Sequence, residues 1–316
     1  MSILSEPHFH DEEAAFERLE AIVWPNGPVC PKCGNCDETR FSRIRGATAR
    51  AGLRTCLECK KQFTVKVGTV FESSHVPLHK WFQAAHLMAS SKKGISAHQL
   101  HRTLQVTYKT AWFMAHRIRE AMRSGDFSPL GGNGKTVEAD ETYIGRLRDV
   151  PVNKGTAHKN IVLTLVERGG IARSFHIDGT TVSRVIPIVR ANIAKESALM
   201  TDEAQHYKRV GREFTSHGRV EHSANEYGRT EINGDGVSVN INTNTVEGFY
   251  SIFKRGMKGV YQHCAEHHLH RYLAEFDFRY SNRIALGVGD VERSSKTLAG
   301  IVGKRLKYRD SSPVAG

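Results

Sequence analysis

Three acidic residues, Asp140, Asp202 and Glu247, lie where their carboxylates could share a metal site. Asp140 lies in TVEADETYIG and Asp202 in ALMTDEAQHY, two segments that predict β-strands ending at the aspartates. Glu247 lies in residues 244–258, NTVEGFYSIFKRGMK, where apolar positions recur at the spacing of an amphipathic helix. Carboxylates are the ligands that hold the two divalent cations, about 4 Å apart, used in phosphoryl transfer to nucleic acids. The pattern therefore predicts a site for Mg²⁺ or Mn²⁺.

Four other acids compete with this assignment. Asp178 precedes a glycine, which is typical of a turn. Glu141 and Glu203 directly follow the chosen aspartates, so in an extended strand their side chains point to the opposite face. Glu138 shares a face with Asp140 but lies deeper in the strand. None of the four fits the predicted site as well as the chosen aspartates.

Glu247 also has a purely structural interpretation. With Asn244 as the N-cap, Glu247 stands three residues later, which is a capping pattern. Its carboxylate would then stabilise the start of a helix instead of a metal ion. The sequence pattern alone leaves both interpretations open.

Five of the six cysteines fall between positions 30 and 59 and predict a structural zinc site. Cys30 and Cys33 form one Cys-x-x-Cys pair, and Cys56 and Cys59 form a second, so two tight turns can bring four thiolates to one tetrahedral ion. Cys36 could replace Cys30, because it also lies three residues from Cys33. We prefer Cys30, since Cys-Pro-x-Cys-Gly places a glycine where the turn needs a positive φ.

The composition favours a folded protein with a polyanionic partner. The 316-residue chain has a formal net charge of +12 and is 39% hydrophobic, and nucleic acid is the leading candidate partner. No run of eighteen apolar residues predicts a membrane span, and the amino terminus lacks the basic and apolar stretches of a signal peptide. We therefore expect a cytoplasmic protein, associated with the nucleoid when bound to DNA, and no membrane partner.

Residues 77–124 predict three helices. Ser96 caps the second, residues 97–104, and Thr107 caps the third, residues 108–122. The tight turn before the last helix is typical of a helix-turn-helix, which would present to DNA the residues Tyr108, Lys109, His116 and Arg117. A plain helical bundle joining two domains gives the same pattern, and this alternative stays open.

These patterns divide the chain into five segments. Residues 1–27 contain a short helix, residues 28–72 contain the cysteine pairs, and residues 77–124 follow as the helical segment. After a glycine-rich linker, residues 134–284 show three strands, a helix, a strand and a helix, which predicts an α/β domain with a mixed sheet. Residues 285–316 form a basic tail.

Four segments are similar to those of a known enzyme family. ADETYIG, MTDEAQHY, NTNTVEGFYSIFKRGMKGVYQH and HLHRYLAEFDFRYSNR resemble a DDE transposase of bacterial insertion sequences, in the group with an amino-terminal zinc ribbon. The resemblance covers about residues 28–309 and implies a multidomain α/β protein, in which a zinc ribbon and a helix-turn-helix-like segment precede an RNase H-like catalytic domain.

The resemblance also implies roles for individual residues. Asp140, Asp202 and Glu247 would be the metal-binding triad, and Lys254, two helical turns after Glu247, would contact a phosphate of the element end. DNA contacts are predicted at the basic residues Lys109, Arg117, Lys254, Arg255 and Lys258.

The implied function is transposition. The enzyme would bind the terminal inverted repeats of an insertion sequence as a homodimer or higher oligomer on double-stranded DNA. It would hydrolyse a phosphodiester in the presence of Mg²⁺, and the freed 3′-hydroxyl would then attack target DNA. Two alternatives remain: a DNA-binding regulator whose α/β domain is inactive, and a nuclease on the same fold.

Overall fold

The computed structural model describes residues 3–46, 48–152, 155–232, 236 and 238–307. Its helices and strands are, in chain order, α1 (Glu12–Val23), β1 (Phe41–Arg43), β2 (Arg54–Cys56), β3 (Gln62–Phe63), α2 (Leu78–Ser90), α3 (Ala97–Leu104), α4 (Tyr108–Met122), β4 (Thr136–Ile144), β5 (Asn160–Glu167), β6 (Ala172–Ile177), α5 (Val182–Asn192), β7 (Ala198–Thr201), α6 (Gln205–Val210), β8 (Ser216–Arg219), β9 (Arg229–Ile232), β10 (Ser238–Ile241), α7 (Asn244–Gly256), α8 (Leu269–Ser281) and α9 (Asp290–Ala299). Short 3₁₀ turns and one π-helical turn connect some of them. No helix of this described part is long and apolar enough to cross a membrane.

The chain forms two compact units. The first contains the residues up to Arg123 and those from Gly289 onward, and the second is Ser124–Val288. In the first unit, β1, β2 and β3 pair antiparallel beside the cysteines, which gives the expected ribbon region. Together the units form a mixed α/β protein, as the sequence predicts.

Tertiary contacts fasten α1 to its neighbours within the first unit. Arg54 of β2 donates two hydrogen bonds to Glu20 of α1, at 3.2 and 2.6 Å. Helix α2 has no side-chain cap of its own, and Glu12 of α1 accepts hydrogen bonds from the N–H groups of Leu78 and His79, at 2.8 and 3.2 Å. A carboxylate at this end satisfies unpaired N–H groups and faces the positive end of the helix dipole.

Helices α3 and α4 begin and end at the predicted residues, because local side chains define them. The Ser96 hydroxyl accepts a hydrogen bond from the Gln99 N–H, and the Thr107 hydroxyl accepts one from the Thr110 N–H, both at 3.1 Å. Gln105, with φ of 50°, ends α3 in the left-handed conformation. Caps of this kind lie within four residues of sequence and are therefore readable from it.

The sequence patterns did not predict α9. Arg293 of α9 donates to the Ala89 carbonyl at 3.1 Å, and the Val70 N–H donates to the Ile301 carbonyl at 3.2 Å. Lys304 donates to carbonyl oxygens at the end of α4, so this side chain of the predicted basic tail is bound to the protein. The last part of that tail, residues 308–316, lies outside the described residues.

The second unit is built on a five-stranded mixed sheet in the order β6-β5-β4-β7-β8. Strands β4, β5 and β6 are antiparallel, whereas β7 and β8 run parallel to β4. Helices cover both faces: α5 and α6 pack with Val137 and Leu165, and α7 and α8 pack with Ile144 and Val162. Strands β9 and β10, which follow β8 and precede α7 in the chain, form a separate antiparallel pair. The predicted mixed sheet is confirmed.

Candidate functional site

Asp140 lies on β4, and Asp202 directly follows β7, the parallel strand that pairs with β4. Strands β4 and β7 pair with Glu138 opposite Met200, and the same register continued by two residues puts Asp202 level with Asp140. The prediction that Asp140 ends its strand is wrong, because β4 continues to Ile144 in pairing with β5. The strand that ends here is β7, one residue before Asp202.

Glu247 approaches the same face of the sheet from α7. One turn after it, the Tyr250 hydroxyl donates to the Asp140 carbonyl at 2.5 Å, which fixes the helix against β4. Oε1 of Glu247 accepts a hydrogen bond from the Thr243 hydroxyl at 2.9 Å and lies 3.6 Å from Nε2 of His222. The Glu247 side chain is 46% exposed, so it is accessible to a cation from solvent.

The capping interpretation of Glu247 does not hold. Helix α7 begins at Asn244, so Thr243 and not Asn244 is the N-cap. The Glu247 carboxylate accepts its hydrogen bond from a side-chain hydroxyl rather than from the backbone N–H that a capping box requires.

The negative charges of the site converge on Asp140. Burial raises the pKa of Asp140 to about 7, and the nearby charges of Glu141, Asp202 and Glu247 act in the same direction. Burial also raises the pKa of Asp202. The hydrogen bond that Asp202 accepts from the Ala204 N–H at 3.0 Å acts in the opposite direction but does not cancel this effect. A bound cation would relieve this repulsion, so the donor set fits divalent metal ions.

The three carboxylates are more widely spaced than the ligands of a single small ion. Among the described residues, only the four cysteines of the ribbon bring ligand atoms of three or more Cys, His, Asp or Glu side chains within 4.8 Å of one another. Two ions about 4 Å apart need ligands spread over a wider site. The spacing of Asp140, Asp202 and Glu247 is compatible with that requirement.

Glu141 points to the opposite face from Asp140, as predicted, and joins a buried network there. Its Oε1 accepts a hydrogen bond from the Tyr207 hydroxyl at 2.7 Å and lies 2.9 Å from Nε2 of His206. Both partners belong to α6, which begins just after Asp202, so the network connects the two aspartate-bearing segments. Sequence reasoning missed it because the partners are 65 and 66 residues away.

The contacts of two further residues near the site could not be predicted from the sequence. His222 lies in a short turn between β8 and β9, where no motif indicates a role. Glu138 is wholly buried, and both of its carboxylate oxygens accept hydrogen bonds from the first turn of α7. It therefore does not compete with Asp140 as an available metal ligand.

The cysteine pairs converge as the spacing predicts. The sulfur of Cys30 lies 3.7 Å from that of Cys59, the sulfur of Cys33 lies 3.7 Å from that of Cys56, and all four lie within 4.8 Å of one another. Cys36 is exposed and outside the group. The four-cysteine group fits a structural zinc ion.

Local backbone geometry supports this arrangement of thiolates. Gly34 has the positive φ, 77°, that the first turn requires. A backbone hydrogen bond from Cys59 lowers the pKa of the Cys56 thiol to about 7. A backbone hydrogen bond also acts to lower the pKa of the Cys33 thiol, but burial and the three neighbouring thiols raise that pKa to about 12. Without a metal ion the group therefore favours the thiolate at Cys56.

Helix α4 exposes only its beginning. Tyr108 and Lys109 are exposed, whereas His116 and Arg117 are 1% and 7% exposed. The Arg117 guanidinium donates to the carbonyl of Glu72 at 3.1 Å and to a carbonyl of the segment after α9 at 3.2 Å. The prediction that His116 and Arg117 face outward is therefore wrong, because this half of α4 packs inside the first unit.

The basic residues of α7 lie near its end. Lys254 is partly buried, with Nζ 5.9 Å from the centre of the Tyr250 ring. Arg255 is exposed and donates to the carbonyl and hydroxyl of Ser251 in its own helix. Lys258 is exposed on the π-helical turn that follows α7.

Comparison with known proteins decides the family. Residues 129–281 match the model of the ISXO2-like transposase domain, and residues 10–62 match that of the transposase zinc-ribbon domain. The predicted resemblance to this group of transposases is confirmed. An uncharacterized protein in transposable element ISH50 of Halobacterium salinarum is 29% identical over 290 residues, which is 86% of this chain and 91% of that protein. The two transposase domains include the cysteine group and the three acids.

Replacing Cys56 with Ser should remove zinc from the purified protein, because three thiolates no longer close a tetrahedral site. We expect about one zinc ion per chain before the change and well under half of that after it, by elemental analysis. Cys36→Ser is the matched control and should retain the zinc. Equal zinc content in the two variants would contradict the assignment.

Asp140→Asn should stabilise the protein when divalent ions are chelated. The pKa of Asp140 in the folded state is about 7, well above its ordinary value of about 4. The free energy of unfolding therefore falls as the pH rises from about 4, and the loss is complete above about pH 7. At pH 8 we expect a melting temperature higher by about 2–4 °C, or roughly 1 kcal/mol, and no gain near pH 4.

The matched control is Asp178→Asn, which neutralises an exposed aspartate of the same unit that pairs with Arg184 at 2.9 Å. It should give no stabilisation at pH 8. A pH-independent change in melting temperature for Asp140→Asn would contradict the argument.

Proposed function

We propose that this transposase binds the ends of an insertion sequence and cuts and joins DNA strands at the site formed by Asp140, Asp202 and Glu247. The principal support is the parallel register of β4 and β7, because continuing it two residues beyond the last pair, Glu138 and Met200, would bring the two aspartates to the same level. Glu247 adds its charge to the same place, since it contributes to the raised pKa of Asp140. The match to the transposase domain includes all three residues.

The strand order also supports this function. An antiparallel β6-β5-β4 meander extended by parallel β7 and β8, with helices on both faces, agrees with the RNase H-like fold that the resemblance implies. The acids lie where the short parallel strand β7 ends, and open α/β sheets bind their ligands at the carboxyl ends of such strands.

The chemistry needs a bound metal and a positioned DNA strand. Two divalent cations held by the three carboxylates would lower the pKa of a bound water and neutralise the developing phosphate charge. Hydrolysis of the phosphodiester at the element end would release a 3′-hydroxyl, and attack by this hydroxyl on target DNA would form the new phosphodiester and release a target 3′-hydroxyl. Lys254, Arg255 and Lys258 would hold phosphates beside the acids.

The first unit would supply DNA recognition. The zinc ribbon and the helix-turn-helix-like segment would both contact DNA, the latter through the exposed start of α4 with Tyr108 and Lys109. Two element ends must be brought together for transposition, so we propose that the protein acts as a homodimer or higher oligomer on DNA.

Glu247→Gln should separate DNA binding from cleavage. Loss of one charge beside two other carboxylates weakens the site for divalent ions, and we expect cleavage at least about a hundredfold slower, a barrier increase of roughly 3 kcal/mol. Binding of element-end DNA should stay near normal. The measurement is single-turnover nicking of flanking DNA in Mg²⁺, with the products mapped on a sequencing gel.

Glu196→Gln is the control for this substitution, because Glu196 is an exposed acid of the same unit that precedes β7, at the opposite end of that strand from Asp202. It should cut at the normal rate. Asp140→Asn and Asp202→Asn should behave like Glu247→Gln, and the triple variant should be little worse, since the acids act as a unit. Normal cleavage by Glu247→Gln would overturn the assignment of the third ligand.

Lys109→Ala and Arg117→Ala should have different effects, the first on DNA binding and the second on stability. Loss of the exposed Lys109 should weaken binding to element ends and reduce the slope of log affinity against log salt by about 1, because one phosphate contact is lost. Arg117→Ala leaves two buried carbonyls unsatisfied and should lower stability by about 1–3 kcal/mol. Salt titrations of DNA binding and thermal melts distinguish the two effects.

Lys195→Ala controls for the loss of one positive charge, since Lys195 is exposed in the second unit. It should change the salt slope by much less than Lys109→Ala does. Equal slopes for the two variants would exclude a specific DNA contact at Lys109.

A further inference from the structure

Glu138 is a buried carboxylate that the cleavage chemistry leaves without a role. It lies on β4 two residues before Asp140 and is 0% exposed. A buried charge is tolerated only when it is paired and fully hydrogen-bonded. Glu138 meets both conditions, because four donors contact its two oxygens.

Three of these donors belong to the first turn of the helix that bears Glu247. Oε2 of Glu138 accepts hydrogen bonds from the N–H groups of Thr245 and Val246, at 2.8 and 2.9 Å, and Oε1 accepts one from the Thr245 hydroxyl at 2.8 Å. The N-cap residue Thr243 makes no side-chain cap bond, since its hydroxyl donates to Glu247 instead. Glu138 therefore caps α7 from the neighbouring strand.

The fourth donor also binds the segment that leads into this helix. Nε of Arg168, which follows β5, donates to Oε1 of Glu138 at 2.6 Å. The two terminal nitrogens of the same guanidinium donate to the backbone carbonyls of Asn240 and Asn242, at 2.7 and 2.8 Å. One planar side chain thus joins β4 to the end of β10 and the start of α7.

We propose that Glu138 and Arg168 are positioning residues that set the distance between Glu247 and Asp140. Glu247 is the residue after the capped Val246, and Tyr250 fastens the next turn to the Asp140 carbonyl. The carboxylate of Glu247 therefore lies between two attachments of α7 to the same strand. This inference rests on the proposed cleavage function, because the distance matters only if the two carboxylates share metal ions.

Glu138→Gln tests the proposal, because it preserves the shape of the side chain but turns an NH₂ group towards Arg168 or towards the helix. A displacement of about 1 Å can cost about a hundredfold in rate, so we expect maximal cleavage to fall about 10- to 100-fold and the half-saturating Mg²⁺ concentration to rise. DNA affinity should stay within about twofold of normal. Cleavage is measured against Mg²⁺ concentration, at a temperature where circular dichroism shows every variant folded.

Arg168→Lys gives a second variant that retains the charge beside Glu138. Lysine offers a point charge and cannot span the carbonyls of Asn240 and Asn242 while bound to Glu138. We expect the same rise in Mg²⁺ requirement with a smaller loss of rate. The double variant should be no worse than the more damaged single variant, because both residues act through one contact.

Asp277→Asn is the matched control in the same unit. Asp277 of α8 accepts hydrogen bonds from the N–H and hydroxyl of Ser174 on β6, at 2.8 and 2.6 Å, so it also fastens a helix to the sheet. Its replacement should lower stability without changing the Mg²⁺ dependence of cleavage. An equal shift in this control would reduce Glu138 to a general stabiliser and overturn the proposal.

Amide hydrogen exchange provides a readout that needs no activity. Exchange in residues 243–247 of the metal-free protein should accelerate at least about tenfold in Glu138→Gln, and not in Asp277→Asn. Asp140→Asn is assayed in parallel: cleavage by this variant would overturn the proposed function. If Asp140→Asn is inactive while Glu138→Gln cuts normally at low Mg²⁺, only the positioning role is overturned.

Discussion

Parallel pairing of β4 with β7 brings two like charges close together, because Asp140 lies two residues beyond the last residue of β4 in this pairing and Asp202 two residues beyond that of β7. Adjacent strands are only about 4.8 Å apart, so Asp140 and Asp202 repel each other, and burial strengthens the repulsion. Burial is the main cause of the raised pKa of Asp140, and the charges of Glu141 and Asp202 raise it further. Selection for stability alone would favour apolar residues at the two aspartate positions. Val137 and Leu199, which lie earlier in the same two strands, are apolar and belong to the core. A cation bound between the two aspartates, as proposed, would offset the cost of their repulsion.

The same constraint explains how the surroundings of the site are built. On one face, the Glu141 carboxylate accepts a hydrogen bond from the hydroxyl of Tyr207 and contacts the ring of His206, although its charge still raises the pKa of Asp140. On the other face, Glu138 is neutralised by Arg168 and by the start of α7. Glu138 and Glu141, which lie on either side of Asp140 in the sequence, thus each accept hydrogen bonds from neighbouring side chains or backbone. The carboxylates left for a cation are those of Asp140, Asp202 and Glu247.

Features set by neighbouring residues could be predicted from the sequence, and features set by distant partners could not. The caps of α3 and α4 and the paired cysteine turns are local, and their positions were predicted correctly. The end of β4 was misplaced, because its length depends on pairing with β5 and not on its own residues. Arg117 looked like a surface residue in a polar helix, yet its partners are carbonyls 45 and 189 residues away. No property of α4 alone could indicate such contacts, nor the arrival of Glu138 at α7 from 107 residues earlier.

Two of the ways in which the described helices begin have different consequences. Helices α3 and α4 are capped by their own Ser and Thr, so their first turns are satisfied wherever the helix lies. Helices α2 and α7 lack such caps and take a carboxylate from another element, Glu12 and Glu138. The first N–H groups of these two helices are hydrogen-bonded only when the helix lies beside that carboxylate. Leaving such a group unpaired in a buried site costs about 1–3 kcal/mol. A helix whose start is stable in a single place is suited to the proposed role of Glu247, because a carboxylate that shared metal ions with Asp140 would have to keep its distance to it throughout a reaction.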